Sequence, residues 1–320
     1  MSKKEQDHDS LGNRLKSYEY LSTSRQLMPN TPVYARIDGR AFHTFCRGLE
    51  KPFSKAFIEV MQETCKFLVE ETNACLGYVQ SDEISLGWES IVKAPFDGRL
   101  QKLESNLASL AGAKFVHYIC SEALPDDTLH DMTKMYDKIE RSIPSFDCRV
   151  FNVPNMTELA NAFLWRENDA LKNSITGMAL NFYSHNELQN KNGDEKIHMM
   201  RMKGHCFYED TDPAFMRGTF YHRENYLKAL TDEEVARIPE KQRENLEYSK
   251  DGYTLCLPNN RDVIVEPNTY YCWRSHIVAM NLPYRLTETV DLEKVLFYGN
   301  VPECKIENPT FDLSKREAIS

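Results

Sequence analysis

The sequence predicts an α+β fold, a mainly antiparallel sheet with helices on one face. Two observations carry this. Patterned segments over roughly residues 32–171 follow the order strand, helix, hairpin, helix, strand, helix. Within them, strand segments alternate apolar and polar residues, while the segments between repeat apolar residues every three or four positions. That order is close to the split βαβ arrangement of ferredoxin-like folds.

Taken in order, Val33, Ala35 and Ile37 alternate with Tyr34 and Arg36, giving a strand with one buried face. It breaks at Asp38-Gly39, which exposes the carboxylate at a strand end. Ser54 offers an N-cap to a helix over 54–71, whose stripe is Phe57, Ile58, Met61, Cys65, Leu68 and Val69. Leu76–Gln80 and Ile84–Trp88 flank Ser81-Asp82-Glu83, which predicts a hairpin with two carboxylates at its tip. A second helix runs from about Arg99 to Cys120 on Leu100, Leu103, Leu107, Leu110 and Ala111. Residues 123–142 are acidic and irregular, reading as a surface excursion. Arg149–Val153 is a further strand, closed by Pro154 and followed by a Leu- and Ala-rich helix to about Leu171. Residues 231–250 read as a charged, solvent-facing helix or linker. Val263–Val265 and Lys294–Phe297 have too little pattern to place.

The 320 residues are 41% hydrophobic and 11% aromatic, enough for one large domain or two ordinary ones. No apolar run approaches the roughly 20 residues that cross a bilayer. The charged stretch from Met1 to Arg14 lacks the apolar centre of a secretory signal, so the expected location is cytoplasmic and no membrane partner is expected. The nine cysteines are scattered with no CxxC pair, which reads as buried thiols in a reducing compartment. A net charge of −9 argues weakly against an RNA partner, although the field that matters is local.

Asp38 at a strand end and Asp82-Glu83 at a hairpin tip carry the chemistry. If the strand and hairpin lie side by side, their carboxylates converge on one edge. Paired aspartates are hard oxygen ligands for Mg²⁺, which keeps waters and takes phosphates as further ligands. Two such ions can clamp both oxygens of a phosphoryl displacement. Each acid alone is equally well a turn cap. After Asp38, the turn Gly39-Arg40-Ala41-Phe42-His43 offers backbone N–H groups to phosphates. Phe42 is either a base-stacking ring or core. Arg99 and Lys102 lie on one helix side, as phosphate contacts or as a solvated basic face.

The residues Arg36–His43, Lys51-Pro52 and Gln80-Ser81-Asp82-Glu83 together resemble the signature of the tRNA-His guanylyltransferase family. The resemblance extends through Phe146–Val150, where the family usually has glycine in place of Cys148, and Trp165–Asp169. Leu11–Lys16, Arg47–Phe53 and Ser184–Leu188 are similar to its Thg1-like branch. It is strong over roughly residues 11–220. It implies a polymerase- and cyclase-like palm domain over 1–220, with tRNA-contacting elements, and a C-terminal extension over 221–320 of unassigned role.

The resemblance implies 3′-to-5′ nucleotide addition to the 5′ end of tRNA, fed by GTP, ATP and other nucleoside triphosphates. It implies two Mg²⁺ ions on Asp38, Asp82 and the Gly39 carbonyl, with Glu83 supporting the cluster. Residues 38–43, Ser81, Asp82, Lys51, Arg99 and Lys102 would hold the triphosphate. Arg149, Lys172 and Asn173 would contact RNA. Family members often assemble as tetramers, so a homo-tetramer is expected. One departure bears on specificity. The tRNA-His enzymes carry His-Ile-Asn-Asn where this chain reads Leu171-Lys172-Asn173-Ser174. That favours templated repair of 5′-truncated tRNA over dedicated G addition at position −1. More distant readings are a nucleotidyl cyclase, against which Lys51-Pro52 and Trp165-Arg166 speak, and a non-catalytic RNA-binding module, whose partner the two acids would repel without metal.

Overall fold

A computed structural model describes residues 10–90, 92, 95–121, 128–243, 246–256, 262–280 and 296–297. The chain runs α1 (Ser10–Thr23), β1 (Val33–Gly39), α2 (Phe42–Phe45), α3 (Lys55–Thr72), β2 (Leu76–Gln80), β3 (Glu83–Trp88), α4 (Leu100–Ser121), α5 (Leu129–Arg141), β4 (Phe146–Asn152) and α6 (Met156–Ala179). Short helices α7 (His185–Leu188), α8 (Gly193–Met202), α9 (Phe207–Asp210) and α10 (Pro213–Arg217) lead to β5 (Thr219–Leu230). Then follow α11 (Asp232–Arg237), α12 (Glu240–Arg243), β6 (Glu247–Ser249), β7 (Tyr253–Cys256), β8 (Asp262–Val265) and β9 (Thr269–Met280).

The main sheet has the order β4-β1-β3-β2-β5-β9-β6, and every pairing in it is antiparallel. Its first four strands have the order the ferredoxin-like reading requires. The period-two alternation splits their side chains between two cores. Val33, Ala35, Ile37, Ile84 and Leu86 pack under α3, α4 and α5. Tyr34, Leu76 and Tyr78 face the other way and pack on Leu159, Phe163 and Leu164 of α6. The Ser54 hydroxyl accepts the Phe57 N–H at 3.3 Å and starts α3, which buries Phe57, Val60, Met61, Cys65, Leu68 and Val69. Each such side chain contributes roughly 1.5–3 kcal/mol when fully buried.

Three expectations change. The excursion over 123–142 contains a real helix: α5 buries Met132 and Met135 against the core. The charged residues that surround Met132 and Met135 in sequence mask this short apolar stripe. Residues 122–127 lie outside the described ones. The strand expected from Arg149 begins at Phe146, because β4 pairs with β1 from Gly39 back to Val33. The helix expected to end near Leu171 continues to Ala179, since its last turns bury Ile175 and Met178 in a third cluster with Leu188, Met200 and Phe207. The sheet is continuous through residue 220, which lies inside β5. The charged stretch 231–250 forms α11, α12 and β6. Val263–Val265 belongs to β8, which pairs only with β7 among the described residues. Lys294 and Val295 lie outside the described residues; Leu296 is buried in the core of α6.

Candidate active site

The C-terminal ends of β1 and β2 and the start of β3 share one edge of the sheet. Asp38 stands opposite Glu83 on one side and Asp147 on the other. The two-residue turn Ser81-Asp82 hangs over the same edge, fixed by the Gly39 N–H donating to the Asp82 carbonyl at 3.0 Å. Ser81 takes the left-handed conformation, φ 53°, and its hydroxyl donates to Asp82 Oδ1 at 3.2 Å. Gly39 is required by a close approach: a Cβ there would sit 2.5 Å from the Phe42 ring. Asp38 and Asp82 open into one cavity of about 480 Å³. Its other walls are Cys46–Ile58 excepting Arg47, Gly48, Lys55 and Ala56, then Gln80, Glu83, Arg166, Asn173, Ser174, Ala214 and Phe215.

Electrostatics separates the acids. Burial pushes the Asp82 carboxyl up. The N–H of its own residue lowers it, the charge of Asp38 raises it further, and Ser81 lowers it. Glu83 is not part of the hairpin tip; it is the first residue of β3 and pairs with Gln80. Its carboxylate is held by Arg166 in a fork, Nε–Oε1 2.5 Å and Nη2–Oε2 2.6 Å, with Arg36 at 4.0 Å. Burial still pushes Glu83 above the usual carboxylate range despite Arg166 and Arg36. Arg166 and Arg36 both lie over Trp165, at 4.7 and 5.7 Å from its ring centroid. Asp147 is 3.9 Å from Arg149. The Glu83 carboxylate oxygens are thus engaged by arginines. Besides Glu50 and Glu83, the carboxylates lining the cavity are those of Asp38 and Asp82. Among the described residues no group of three or more His, Cys, Asp and Glu is placed to hold a metal. Two crowded carboxylates, one disfavoured as an anion, suit a hard divalent cation that completes its shell with water and phosphate.

The other residues singled out from the sequence divide. Lys51 and Asn173 line the cavity. Phe42 does not stack on a ligand: its ring is buried among Phe45, Phe57, Phe115 and Phe146. The N–H groups of Gly39 and Arg40 are spent on Asp82 and Ser145. The phosphate cradle expected over residues 39–43 therefore lacks its first two donors. His43 is exposed, its Nδ1 3.4 Å from the Thr44 hydroxyl. Arg99 and Lys102 do not face the acids. Strand β3 carries the chain away from Asp82 by roughly 3.3 Å per residue, so α4 begins at the opposite edge. There Arg99 bridges to Gln26 and lines a surface recess with Lys16 and Glu19 of α1. Arg149 is exposed on edge strand β4, opposite Arg36. Lys172 is exposed on α6, whereas Leu171 beside it is buried, 4% exposed, in the third cluster.

Sequence reasoning gave no role to the groups that hold this edge in shape. Arg166 meets Glu83 from a distant helix. Helix α5 clamps the loop that carries Lys51: Asp131 Oδ2 accepts the Glu50 N–H at 2.8 Å, Lys134 donates to the Gly48 carbonyl at 2.6 Å, and Lys138 donates to the Phe45 and Arg47 carbonyls. The signals available were Trp165-Arg166 itself and the Met132, Met135, Ile139 spacing in a charged segment.

Comparison with known proteins supplies the family. The Thg1 family, described as tRNAHis guanylyltransferase, matches residues 12–154. A tRNA(His) guanylyltransferase of Schizosaccharomyces pombe is 31% identical over 164 residues, 50% of this chain; the chain spans only 56% of that relative. A solved bacterial Thg1-like protein in complex with ATP superposes with a TM-score of 0.56 at 33% identity, covering 67% of this chain and 88% of the other. The corresponding complex with GTP gives 0.52 at 32% identity, covering 68% and 86%. With an α+β palm-like sheet, the two aspartates at one edge of it and this degree of identity over most of a solved relative, the chain belongs to the Thg1 family.

Proposed function

We propose that this chain is a nucleotidyltransferase that adds nucleotides to the 5′ end of tRNA, working as a template-directed repair enzyme. The observation that carries the activity is the convergence of Asp38 and Asp82 on one cavity of about 480 Å³, within the range of small-molecule sites. Asp38, Asp82 and the Gly39 carbonyl would hold Mg²⁺, two ions in this reading. When bound, the metal neutralises phosphate charge and lowers the pKa of an attacking hydroxyl. Lys51 supplies a positive charge to the triphosphate. Ser81 and the turn after Asp38 keep the carboxylates fixed. Glu83, tied to Arg166, positions the start of β3.

The reaction has two phosphoryl transfers. A 5′-monophosphate oxygen of the tRNA attacks the α-phosphorus of ATP or GTP and expels pyrophosphate. The 3′-hydroxyl of the incoming nucleotide then attacks the tRNA 5′ phosphorus, loses its proton and expels the nucleoside monophosphate. Positioning and charge neutralisation suffice for both, with no covalent enzyme intermediate.

Template-directed repair is favoured by Leu171. Its side chain is in the core and offers no hydrogen bond to a tRNA. A dedicated tRNA-His guanylyltransferase is the second reading, supported by the name of the S. pombe relative. A cytoplasmic location and a homo-tetramer belong to the same proposal; no helix among the described residues is long and apolar enough to cross a membrane. The test is product sequencing after incubation with tRNA-His and an unrelated tRNA, each lacking its first nucleotide, plus all four nucleoside triphosphates. Template-matched addition to both is expected. Addition of G to tRNA-His alone, whatever the template, overturns the repair reading; no addition to any tRNA overturns the activity.

A further inference from the structure

The lining of the cavity also carries two stacked aromatic rings. Phe53 and Phe215 lie with centroids 5.0 Å apart and planes within 19°. Both line the same cavity as Asp38, Asp82 and Lys51, and both are only half-buried. Their supports are rigid. Phe53 lies over Gly177 of α6, where a Cβ would be 3.5 Å from its ring. Phe215 rides on α10, which is pinned along its length. Asp212 caps it by accepting the Ala214 N–H at 2.8 Å. The Ser174 hydroxyl donates to the Met216 carbonyl at 2.8 Å, and the Tyr78 hydroxyl to the Arg217 carbonyl at 2.6 Å. Arg217 faces the fully buried Glu167 at 3.7 Å. At Gly218, φ 78°, a Cβ would meet the Val79 carbonyl at 2.4 Å, so the chain leaves α10 pressed against β2.

We propose that the Phe53–Phe215 pair is the platform on which the base of the incoming nucleotide stacks, its phosphates directed toward Lys51, Asp38 and Asp82. This rests on the nucleotidyltransferase reading and adds to it a base subsite. A molecule with an anionic end and a flat π-faced end matches a cavity whose lining combines two aspartates, a lysine and a stacked aromatic pair. Stacking tolerates every base, because each has a π-face. A platform of this kind secures the nucleotide without choosing it, which leaves the choice to pairing with the template.

The test is calorimetric titration of the full chain, in Mg²⁺, with ATP, GTP, CTP, UTP and inorganic tripolyphosphate. Wild type is compared with Phe215→Ala, Phe215→Leu and Phe215→Trp, each checked for folding by circular dichroism. Loss of the ring is expected to weaken all four nucleotides by roughly 5- to 150-fold, the range for alanine substitution at a base-stacking ring. Tripolyphosphate affinity should stay unchanged, and Trp should retain nucleotide binding. Should Phe215→Ala fail to fold, Phe215→Leu, which keeps the apolar volume, gives the decisive comparison. Wild-type nucleotide affinity in Phe215→Leu, or an equal loss of tripolyphosphate, overturns the platform while leaving the nucleotidyltransferase reading intact. A wild-type chain that binds neither nucleotides nor tripolyphosphate overturns that reading itself.

Discussion

Replacing Arg166 by methionine removes the guanidinium and keeps most of the side-chain length. The lost contacts are two charge-assisted hydrogen bonds of 2.5 and 2.6 Å to the Glu83 carboxylate, with side chains only 14% and 15% exposed, and a longer one of 3.2 Å to the more exposed Asp169. Hydrogen bonds to charged groups contribute about 1.5–3 kcal/mol each, and leaving one member of a buried pair without the other costs about 3–5 kcal/mol. The expected destabilisation at pH 7.5 is therefore about 3–5 kcal/mol. Its pH dependence has a definite sign. Burial already holds Glu83 above the usual carboxylate range, and loss of Arg166 raises it further. A carboxyl whose folded pKa exceeds its unfolded value costs stability in full above the folded pKa and costs nothing below the unfolded one, about 4.3. The deficit should shrink as the pH falls toward 4.5. Urea unfolding of wild type, Arg166→Met, Glu83→Gln and the double variant at both pH values measures this. The double variant should recover at least about 2 kcal/mol of the Arg166→Met loss, the coupling of a paired charge. A loss below about 1 kcal/mol, or one equally large at pH 4.5 and in the double variant, refutes the reasoning.

Asp38→Ala and Asp82→Ala should each abolish nucleotide addition in a labelled-tRNA extension assay while leaving the circular dichroism spectrum intact; near wild-type rates at saturating Mg²⁺ would contradict the metal assignment. Asp82→Asn should raise the melting temperature of the metal-free protein at pH 7.5, because burial and Asp38 disfavour the anion, and the gain should shrink as the pH falls and vanish only below the unfolded value of about 3.9. Asp131→Ala leaves the Glu50 N–H without its acceptor, so it should cost about 1–3 kcal/mol and raise the nucleotide KM more than it lowers kcat. Leu171→His places a polar ring in a packed cluster; denaturant unfolding should show a loss of roughly 1–3 kcal/mol, with no new preference for tRNA-His in extension assays.

The parts of the fold that were legible are those where one face is buried and the other is not. Strand β1 and helices α3 and α4 write that contrast into the sequence as alternation or a helical stripe. Helix α5 buries chiefly Met132 and Met135 among Asp131, Lys134, Asp137, Lys138, Glu140 and Arg141, so its charge hides its period. Strands β5 and β9 pair over eleven positions from Phe220–Met280 to Leu230–Tyr270. Much of that ladder is half-exposed on both faces, so Glu224, Tyr226, Arg274 and His276 break any alternation. Its register comes from backbone pairing, which leaves no binary pattern to read.

The same distinction explains the site. Asp38 and Asp82 were legible because an acid at a strand end or tight turn is locally unusual, and adjacent strands bring such turns together by pairing alone. Arg166 and Phe215 were not, because nothing local in α6 or α10 says which sheet edge those helices cross. Topology decides it. Strand β3 leads away from the acidic turn, so the helix that follows it, with Arg99 and Lys102, starts at the wrong edge. Segments that come back must furnish the cavity instead: the loop after α2, the middle of α6 and the short α10. A basic residue close in sequence to a catalytic turn is thus a poor guide in an antiparallel sheet. One strand length, roughly 20 Å for six residues, separates neighbours in sequence from neighbours in space. The positive charge and aromatic surface that a triphosphate needs have to be sought on elements whose chain direction returns them to the strand ends where Asp38 and Asp82 lie.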